Sequence, residues 1–165
     1  MRMVDSILME MDMEAQTTKR VLDRIPEGKL SWKPHAKSYS IGQLGLHIAA
    51  APGNIAAAIV PDTWEAPSFS QPEAKSHKEI MDAFSKGLAN AKDTLSKMDD
   101  AKLMSTWTLM RNGKPIMSVP RIGFIRSILL NHLYHHRGQL SVYLRLLDVP
   151  VPSIYGPSAD ENPFG

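Results

Sequence analysis

The chain has 165 residues, a length that supports one domain with a buried core, and we expect a single domain over residues 1–165. Its 43% hydrophobic and 22% charged residues are typical of a soluble globular protein. A formal net charge of +2 without a dense basic run argues against a nucleic-acid partner. The sequence has no cysteine, which excludes disulfides, cysteine zinc ligands and cysteine nucleophiles, so any thiol chemistry must use a thiol from a substrate.

The N-terminal segment carries Glu10, Asp12 and Glu14 and lacks the apolar core of a signal peptide. No run of 18 apolar residues occurs in the sequence, so we expect no transmembrane helix and no membrane partner. These features predict a cytoplasmic location.

The first predicted helix covers the region from Val4 to Ile25. Its apolar residues recur at alternating steps of four and three, which is the spacing of one buried helix face. Pro26 and Gly28 end the helix. The predicted face consists of Val4, Leu8, Met11, Ala15, Thr18, Leu22 and Ile25.

The second predicted helix begins at Ser40, because Gln43 follows at the spacing of a capping box. His47 flanks its apolar face. Pro52 cannot donate a hydrogen bond to the carbonyl of Ile48, which predicts a kink or an early break. The apolar face consists of Ile41, Leu44, Ile48, Ala51 and Ile55.

A loop is predicted over residues 61–75, which contain three prolines. The third helix is predicted to begin at Ser76, with Glu79 completing a second capping box. Its apolar face follows at bundle spacing. This face consists of Ile80, Phe84, Gly87, Ala91, Leu95 and Met98.

The segment after the third helix predicts a small β-hairpin. Residues 107–111 alternate in polarity, and Asn112-Gly113 supplies turn residues before Ile116-Met117. Pro115 weakens the second strand, since proline cannot donate to a strand ladder.

The fourth predicted helix begins near Ser118 or Pro120 and ends before Pro150. Two histidines and a glutamine occupy positions of its apolar face. The predicted face consists of Ile122, Ile125, Leu129, His132, His136, Gln139, Tyr143 and Leu146. The tail from Ser153 to Gly165 is rich in proline and glycine and is predicted to lie along the surface. The four helices predict an all-α four-helix bundle.

The histidines are the strongest functional signal. His132 and His136 are four residues apart, so both imidazoles point to the same side of a helix. Together with His47 they would give three ligands and one open position, which is the ligand count of a reactive metal site. The alternative is that they are hydrogen-bonded core residues with no ligand role. His135 is turned off this face, and His35 and His77 are predicted to be solvated.

The residues around the histidines leave the chemistry open. Leu133 and Tyr134 follow His132, so the His-Glu-x-x-His pattern is absent and this helix supplies no glutamate base. This argues against an ordinary zinc hydrolase, although a hydrolase stays open beside a transferase. Gln139 is predicted either to hydrogen-bond a ligand or metal-bound water, or to pair with another buried polar group. Arg137 is predicted to lie on the surface, with pairing to a carboxylate or anchoring of the tail as the alternative.

Three segments resemble the DinB-like superfamily of metalloproteins. Trp32-Lys33-Pro34 and residues 40–49 are similar to the segment that carries the family's first ligand. Residues 132–140 are similar to its helix-four signature with the second and third ligands, and residues 149–161 are similar to the tail of one subgroup. The resemblance implies an up-down-down-up four-helix bundle with nickel or zinc on His47, His132 and His136, and a homodimeric assembly.

The resemblance also suggests a reaction class, because characterised relatives include thiol-dependent isomerases and S-transferases. The leading hypothesis is therefore a metal-dependent enzyme acting on a small-molecule substrate, in the form of an S-transferase that uses a low-molecular-weight thiol. The alternative is a non-catalytic metal or small-ligand binding protein of the stress response.

Overall fold

The computed structural model describes residues 2–68 and 70–164. Met1, Phe69 in the predicted loop and Gly165 at the end of the predicted tail lie outside the described residues. The described chain is mostly helical, with a small sheet. The helices are α1 (Met3–Leu22), α2 (Ile41–Ala58), α3 (His77–Ser96), α4 (Asp100–Met104), α5 (Arg121–Phe124) and α6 (His132–Leu146), and the strands are β1 (Thr63–Glu65), β2 (Thr106–Arg111) and β3 (Lys114–Pro120).

The long helices pack around a common core. Helix α2 contacts α3 most extensively and also contacts α6, while α1 contacts both α3 and α6. Helices α2 and α3 approach closely because glycines meet at their crossing: a Cβ atom on Gly87 would lie 2.7 Å from the carbonyl oxygen of Ala49. Within the described residues, no helix has the length and apolar character needed to span a membrane.

Helix α2 begins as predicted and ends later than predicted. The amide of Gln43 donates to Ser40 Oγ and the amide of Ser40 donates to Gln43 Oε1, both at 3.0 Å, which confirms the capping box. The predicted early break at Pro52 is wrong, because α2 continues to Ala58. Pro52 is buried, and its neighbour Gly53 packs against Gly87 of α3. This contact with α3 stabilises α2 and offsets the backbone hydrogen bond that Pro52 cannot donate.

The predicted capping box of α3 is only half formed. Ser76 Oγ accepts from the amide of Glu79 at 3.1 Å. The Glu79 carboxylate accepts from the amide of Lys75 instead of Ser76, at 2.6 Å. The amide of Glu79 is therefore capped as the sequence pattern requires. The Glu79 carboxylate bonds to the amide one residue before the one that the pattern specifies.

A three-stranded sheet in the order β1-β2-β3 packs on the helices, with Trp107 of β2 in one core cluster with Val4 of α1 and Leu95 of α3. Strand β1 lies inside the segment predicted as a loop and pairs parallel to β2, so the prediction of an entirely irregular connection is wrong. Strands β2 and β3 pair antiparallel, and both Asn112 and Gly113 between them adopt positive φ, at 52° and 71°. Pro115 is tolerated because β3 is an edge strand.

A π-helical segment, Ile125–Asn131, joins α5 to α6. Such a segment adds residues to a helical turn and rotates the following helix face. Consequently both Leu129 and Leu130 are buried, and the buried stripe of α6 lies one residue beyond the predicted face. The buried residues of α6 are Leu133, Arg137, Leu140 and Leu144, while the predicted core positions Gln139 and Leu146 are exposed.

The tail lies along α1 and α6, with most of its later residues exposed. Its first residues, 151–153, are buried. Glu161 then forms ion pairs with Arg20 of α1 and with Arg24, two residues after the end of that helix. The tail is thus held to the helices by charge pairs as well as by apolar contact.

Candidate metal centre

Helices α2 and α6 bring three histidines together. His47, His132 and His136 each offer a ring nitrogen, and these nitrogens all lie within 4.8 Å of one another. The ring centroids are 4.3 Å apart for His132 and His136, 4.6 Å for His47 and His136, and 5.2 Å for His47 and His132. The rings are nearly perpendicular to each other, in edge-to-face contact.

The position of the cluster follows from the helix geometry. His132 follows directly after the π-helical segment, and His136 lies one turn further on the same side of α6. Because the buried stripe has rotated onto Leu133 and Arg137, both histidines lie at the edge of the core and are half-buried. A ring in this position is shielded by protein on one side and reachable from solvent on the other.

Two amide oxygens determine which nitrogen carries hydrogen in two of the rings. Gln139 Oε1 lies 2.7 Å from Nδ1 of His136, and Gln71 Oε1 lies 3.2 Å from Nδ1 of His47. An amide oxygen has no hydrogen to donate, so Nδ1 must be the donor in both rings. In the neutral imidazole the other nitrogen, Nε2, then keeps its lone pair.

The third ring is bonded differently. Nε2 of His132 lies 2.9 Å from Nε2 of His136. Since the His136 nitrogen carries a lone pair, His132 is the donor in this contact, which leaves a lone pair on its own Nδ1. That atom is buried and has no hydrogen-bond partner in residues 2–68 and 70–164. A buried polar atom without a partner costs about 1–3 kcal/mol, so the fold tolerates an unsatisfied nitrogen here.

Burial keeps the cluster neutral. Desolvation, with smaller contributions from the charges of neighbouring histidines, lowers the pKa of His132 from its ordinary value of 6.5 to about 4. Desolvation also lowers the pKa of His47, and it lowers that of His136 despite the opposing effect of the hydrogen bond that His136 donates to Gln139. Neutral imidazole is the form that binds a metal ion.

These residues fit a divalent transition metal. Two nitrogens that share a tetrahedral zinc ion at 2.0–2.1 Å lie roughly 3.3 Å apart, close to the 2.9 Å between the His132 and His136 nitrogens. The neutral state of the rings agrees with this interpretation. Among the described residues, no carboxylate belongs to the cluster, so a fourth coordination position would be left for water or substrate.

The other predicted histidines lie outside the cluster. His135 is exposed on α6, with its ring centroid 5.0 Å from that of His136. His35 is exposed, as predicted. His77 is partly buried at the start of α3, where its Nε2 lies 3.0 Å from the carbonyl oxygen of Leu22, so the prediction of a solvated ring is wrong.

Aromatic residues lie beside the cluster. The Tyr39 ring is 6.2 Å from that of His47, and its carbonyl oxygen accepts from the Tyr143 hydroxyl at 3.4 Å. Tyr143 also packs edge-on against Trp32, with centroids 5.7 Å apart. Tyr143 is thus partly buried, and its hydroxyl is hydrogen-bonded.

Arg137 contradicts its predicted surface position. It is 1% exposed, and its guanidinium pairs with the Glu14 carboxylate of α1 at 2.6 Å. It also donates to Thr18 Oγ1 at 3.1 Å and to the Tyr155 hydroxyl of the tail at 2.5 Å. The rotation of α6 after the π-helical segment turns Arg137 inward, and the acceptors on α1 compensate its burial.

The sequence interpretation missed Gln71 entirely. Gln71 lies 24 residues from His47, in the proline-rich connection before α3. A contact of this kind leaves no periodic or motif signal, because neither the helix pattern nor the histidine spacing involves the connection. Gln139 accepts a hydrogen bond from His136, a contact that either of its two predicted roles allows.

The fold and the cluster define a mostly helical protein with a three-histidine site that could hold a metal. The chain belongs to the DinB family, whose sequence profile matches residues 1–162. It is 27% identical over 161 residues to "Uncharacterized protein YrdA" of Bacillus subtilis, covering 96% of this chain and 91% of that protein.

Solved structures of DinB-like proteins share the fold. A DinB-like protein from Bacillus cereus is 26% identical with a TM-score of 0.68, covering 86% of this chain and 91% of that one. The DinB-like protein YjoA from Bacillus subtilis is 16% identical with a TM-score of 0.69, covering 90% and 97% of the two chains. A member from Exiguobacterium sibiricum is 18% identical with a TM-score of 0.61, covering 97% and 98%.

Proposed function

We propose that this protein is a metal-dependent enzyme that holds a nickel or zinc ion on His47, His132 and His136. The observation that carries the proposal is the cluster of three half-buried imidazoles with nitrogens within 4.8 Å of one another. Imidazole suits both ions, and availability decides between them. Three protein ligands leave a coordination position for a substrate, which is typical of catalytic rather than structural sites.

The proposed reaction is transfer of a low-molecular-weight thiol to an electrophilic small molecule. A bound divalent ion would supply Lewis acidity that favours ionisation of a thiol or water at the open position. The chain's own residues hold the ion and orient the rings, while Gln71 and Gln139 restrain His47 and His136. In the transfer, the sulfur loses its proton and forms a bond to carbon as the leaving group departs with the bonding electrons.

The composition and the site agree with this reaction. The chain has no cysteine, so a thiol must come from a cosubstrate. No carboxylate belongs to the cluster among the described residues, so the cluster itself offers no general base for hydrolysis by a metal-bound water. A thiol needs less assistance than water, because its ordinary pKa is far lower.

A conjugation assay tests the proposed reaction. Protein loaded with nickel or zinc is incubated with common cellular thiols and a panel of electrophiles, and product formation is followed by mass spectrometry. We expect conjugation by the wild type and by His135→Ala, and no conjugation above background by His136→Ala. Loaded wild-type protein that conjugates none of the thiols would refute the transferase proposal.

A non-catalytic metal or small-ligand binding protein of the stress response is the second candidate. The observation that favours it is the same lack of an acid or base in the cluster within the described residues. Exchange at the open position separates the two candidates. Cobalt-substituted protein whose absorption spectrum changes on adding thiol supports the enzyme, whereas an unchanged spectrum supports a closed binding site.

The proposal extends to the assembly, the location and the helix order. We propose a homodimer in the cytoplasm that acts on small molecules and binds neither nucleic acid nor membrane; light scattering measures the assembly. We also propose the up-down-down-up order for α1, α2, α3 and the helix from α5 to α6. The contacts of α1 with α3 and α6, and the long connections between these helices, support that order.

A further inference from the structure

The two glutamines that contact the cluster share one arrangement although they lie on different elements. In each, Oε1 accepts from the Nδ1 of a histidine, at 3.2 Å for Gln71 with His47 and 2.7 Å for Gln139 with His136. Each bond fixes the ring hydrogen of its histidine on Nδ1, so Nε2 is the nitrogen that carries the lone pair. We propose that Gln71 and Gln139 are positioning residues that fix His47 and His136 as Nε2 ligands, an inference that rests on the proposed metal site.

The hydrogen bond that His136 donates to Gln139 lies within one turn of α6. Gln139 lies three residues after His136 on α6, so the two side chains are neighbours on one helix face. The residue is otherwise exposed. Its contact with His136 therefore assigns the Gln139 side chain a role in holding that ring.

Gln71 acts from the connection between β1 and α3, which is anchored to the start of α2. The side chain of Gln43 donates through Nε2 to the backbone oxygen of Gln71 at 2.9 Å. Two residues further on, the Glu73 carboxylate accepts from Ser40 Oγ at 2.5 Å. Ser40 and Gln43 are also the capping residues of α2, the helix that carries His47. The two capping residues therefore hold both the start of the helix that carries His47 and the connection that carries Gln71.

His132 is the contrasting ring, because its Nδ1 has no such partner among the described residues. The two glutamines therefore restrain two of the three proposed metal ligands, His47 and His136. Removing an outer partner of a metal-binding histidine generally costs 10- to 100-fold in metal affinity. We expect losses of that size, about 10- to 100-fold, for each glutamine that loses its acceptor oxygen.

Methionine and glutamate substitutions test this role. Gln71→Met and Gln139→Met keep the side-chain length but remove the acceptor, whereas Gln71→Glu and Gln139→Glu keep it. The dissociation constant for Zn²⁺ is measured by competition with a chromophoric chelator. We expect it to rise about 10- to 100-fold in the methionine variants and to stay near the wild-type value in the glutamate variants. Gln16→Met, at an exposed position of α1, is the matched control and should leave it unchanged.

A second measurement needs no metal. Nitrogen NMR of the metal-free wild type should show hydrogen on Nδ1 of His47 and His136, and the Nε2–H form should increase for the affected ring in each methionine variant. If the glutamines had only a structural role, the NMR signal would not change in a methionine variant whose circular dichroism spectrum matches that of the wild type.

Two results would overturn the inference, and they differ from failure of the metal site. Methionine variants that bind Zn²⁺ as tightly as the wild type contradict the positioning role alone, as do wild-type rings with hydrogen on Nε2. Wild-type protein that binds no Zn²⁺ contradicts the proposed metal site, and the positioning role falls with it.

Discussion

His136 and Arg137 are adjacent on α6, yet they belong to regions of opposite character. Arg137 is a buried cation whose donors reach Glu14, Thr18 and Tyr155, with the Tyr155 ring 5.0 Å from its guanidinium carbon. The histidine cluster has neutral rings and, at His132 Nδ1, a buried atom without a partner among the described residues. The Arg137 guanidinium thus has hydrogen-bond partners within the protein, whereas the histidine cluster keeps one buried nitrogen without a partner among the described residues.

The comparison separates structure from function. A buried charge can persist only when its own protein supplies partners, and the Arg137 network joins α1, α6 and the tail. The unsatisfied nitrogen of His132 costs free energy instead of supplying it. We therefore assign the stability of this part of the fold to Arg137, and we propose ligand binding for the histidines.

The largest effect is expected from Arg137→Ala. This variant leaves the Glu14 carboxylate largely buried without its cation, and breaking a buried ion pair costs about 3–5 kcal/mol of unfolding free energy. Urea denaturation of metal-free protein measures the change. Arg145→Ala removes an exposed pair with Asp160 and should cost less than about 1 kcal/mol. Equal losses in the two variants would contradict the structural role of Arg137.

A slightly smaller change in the free energy of unfolding is expected when zinc binds the histidine cluster. At free Zn²⁺ one hundred times its dissociation constant, binding raises the unfolding free energy by about 2.7 kcal/mol. We expect this rise in the wild type and in His135→Ala, and a rise below about 1 kcal/mol in His136→Ala under the same conditions. Denaturation curves with and without Zn²⁺ give the comparison, and an equal rise in all three proteins would show that zinc binds elsewhere.

A smaller effect is expected from pH in the metal-free protein. The pKa of His132 is about 4 in the folded chain and near 6.5 when unfolded, so the unfolded state binds the proton first as pH falls. Stability is therefore full above pH 6.5 and declines as pH falls from 6.5 towards 4. For this half-buried ring we expect a decline of about 1 kcal/mol, discounted for solvent screening.

His132→Asn isolates that contribution, because asparagine is polar and does not titrate. The decline between pH 6.5 and 4 should be shallower in this variant than in the wild type, as measured by urea denaturation at a series of pH values. An identical pH dependence in both proteins would mean that His132 is not held neutral by the fold.

Much of the fold could be predicted from the sequence because its signals are local. The step pattern from Val4 to Leu22 and the Ser40–Gln43 capping box depend on neighbours within a few residues, and α1 and α2 begin where these patterns indicate. The His132–His136 spacing likewise places two rings on one side of α6. His47, on another predicted helix, is added to this pair as a third ligand, and the family resemblance agrees with that set.

The rest depends on non-local contacts. The π-helical segment is not visible in a regular 3.6-residue pattern, and it rotates every later residue of the helix, which misplaced Arg137 and Gln139. Strand β1 forms only because β2 lies beside it. Gln71 reaches His47 through a connection whose path the sequence pattern does not specify.

Metal content tests the central claim most directly. Protein made without an affinity tag is analysed by elemental analysis beside His132→Ala, His136→Ala and the neighbouring control His135→Ala. We predict about one nickel or zinc ion per chain in the wild type and in His135→Ala, and none in the other two variants. Folded wild-type protein that takes up no metal, or metal retained after loss of His132 or His136, would contradict the three-histidine site.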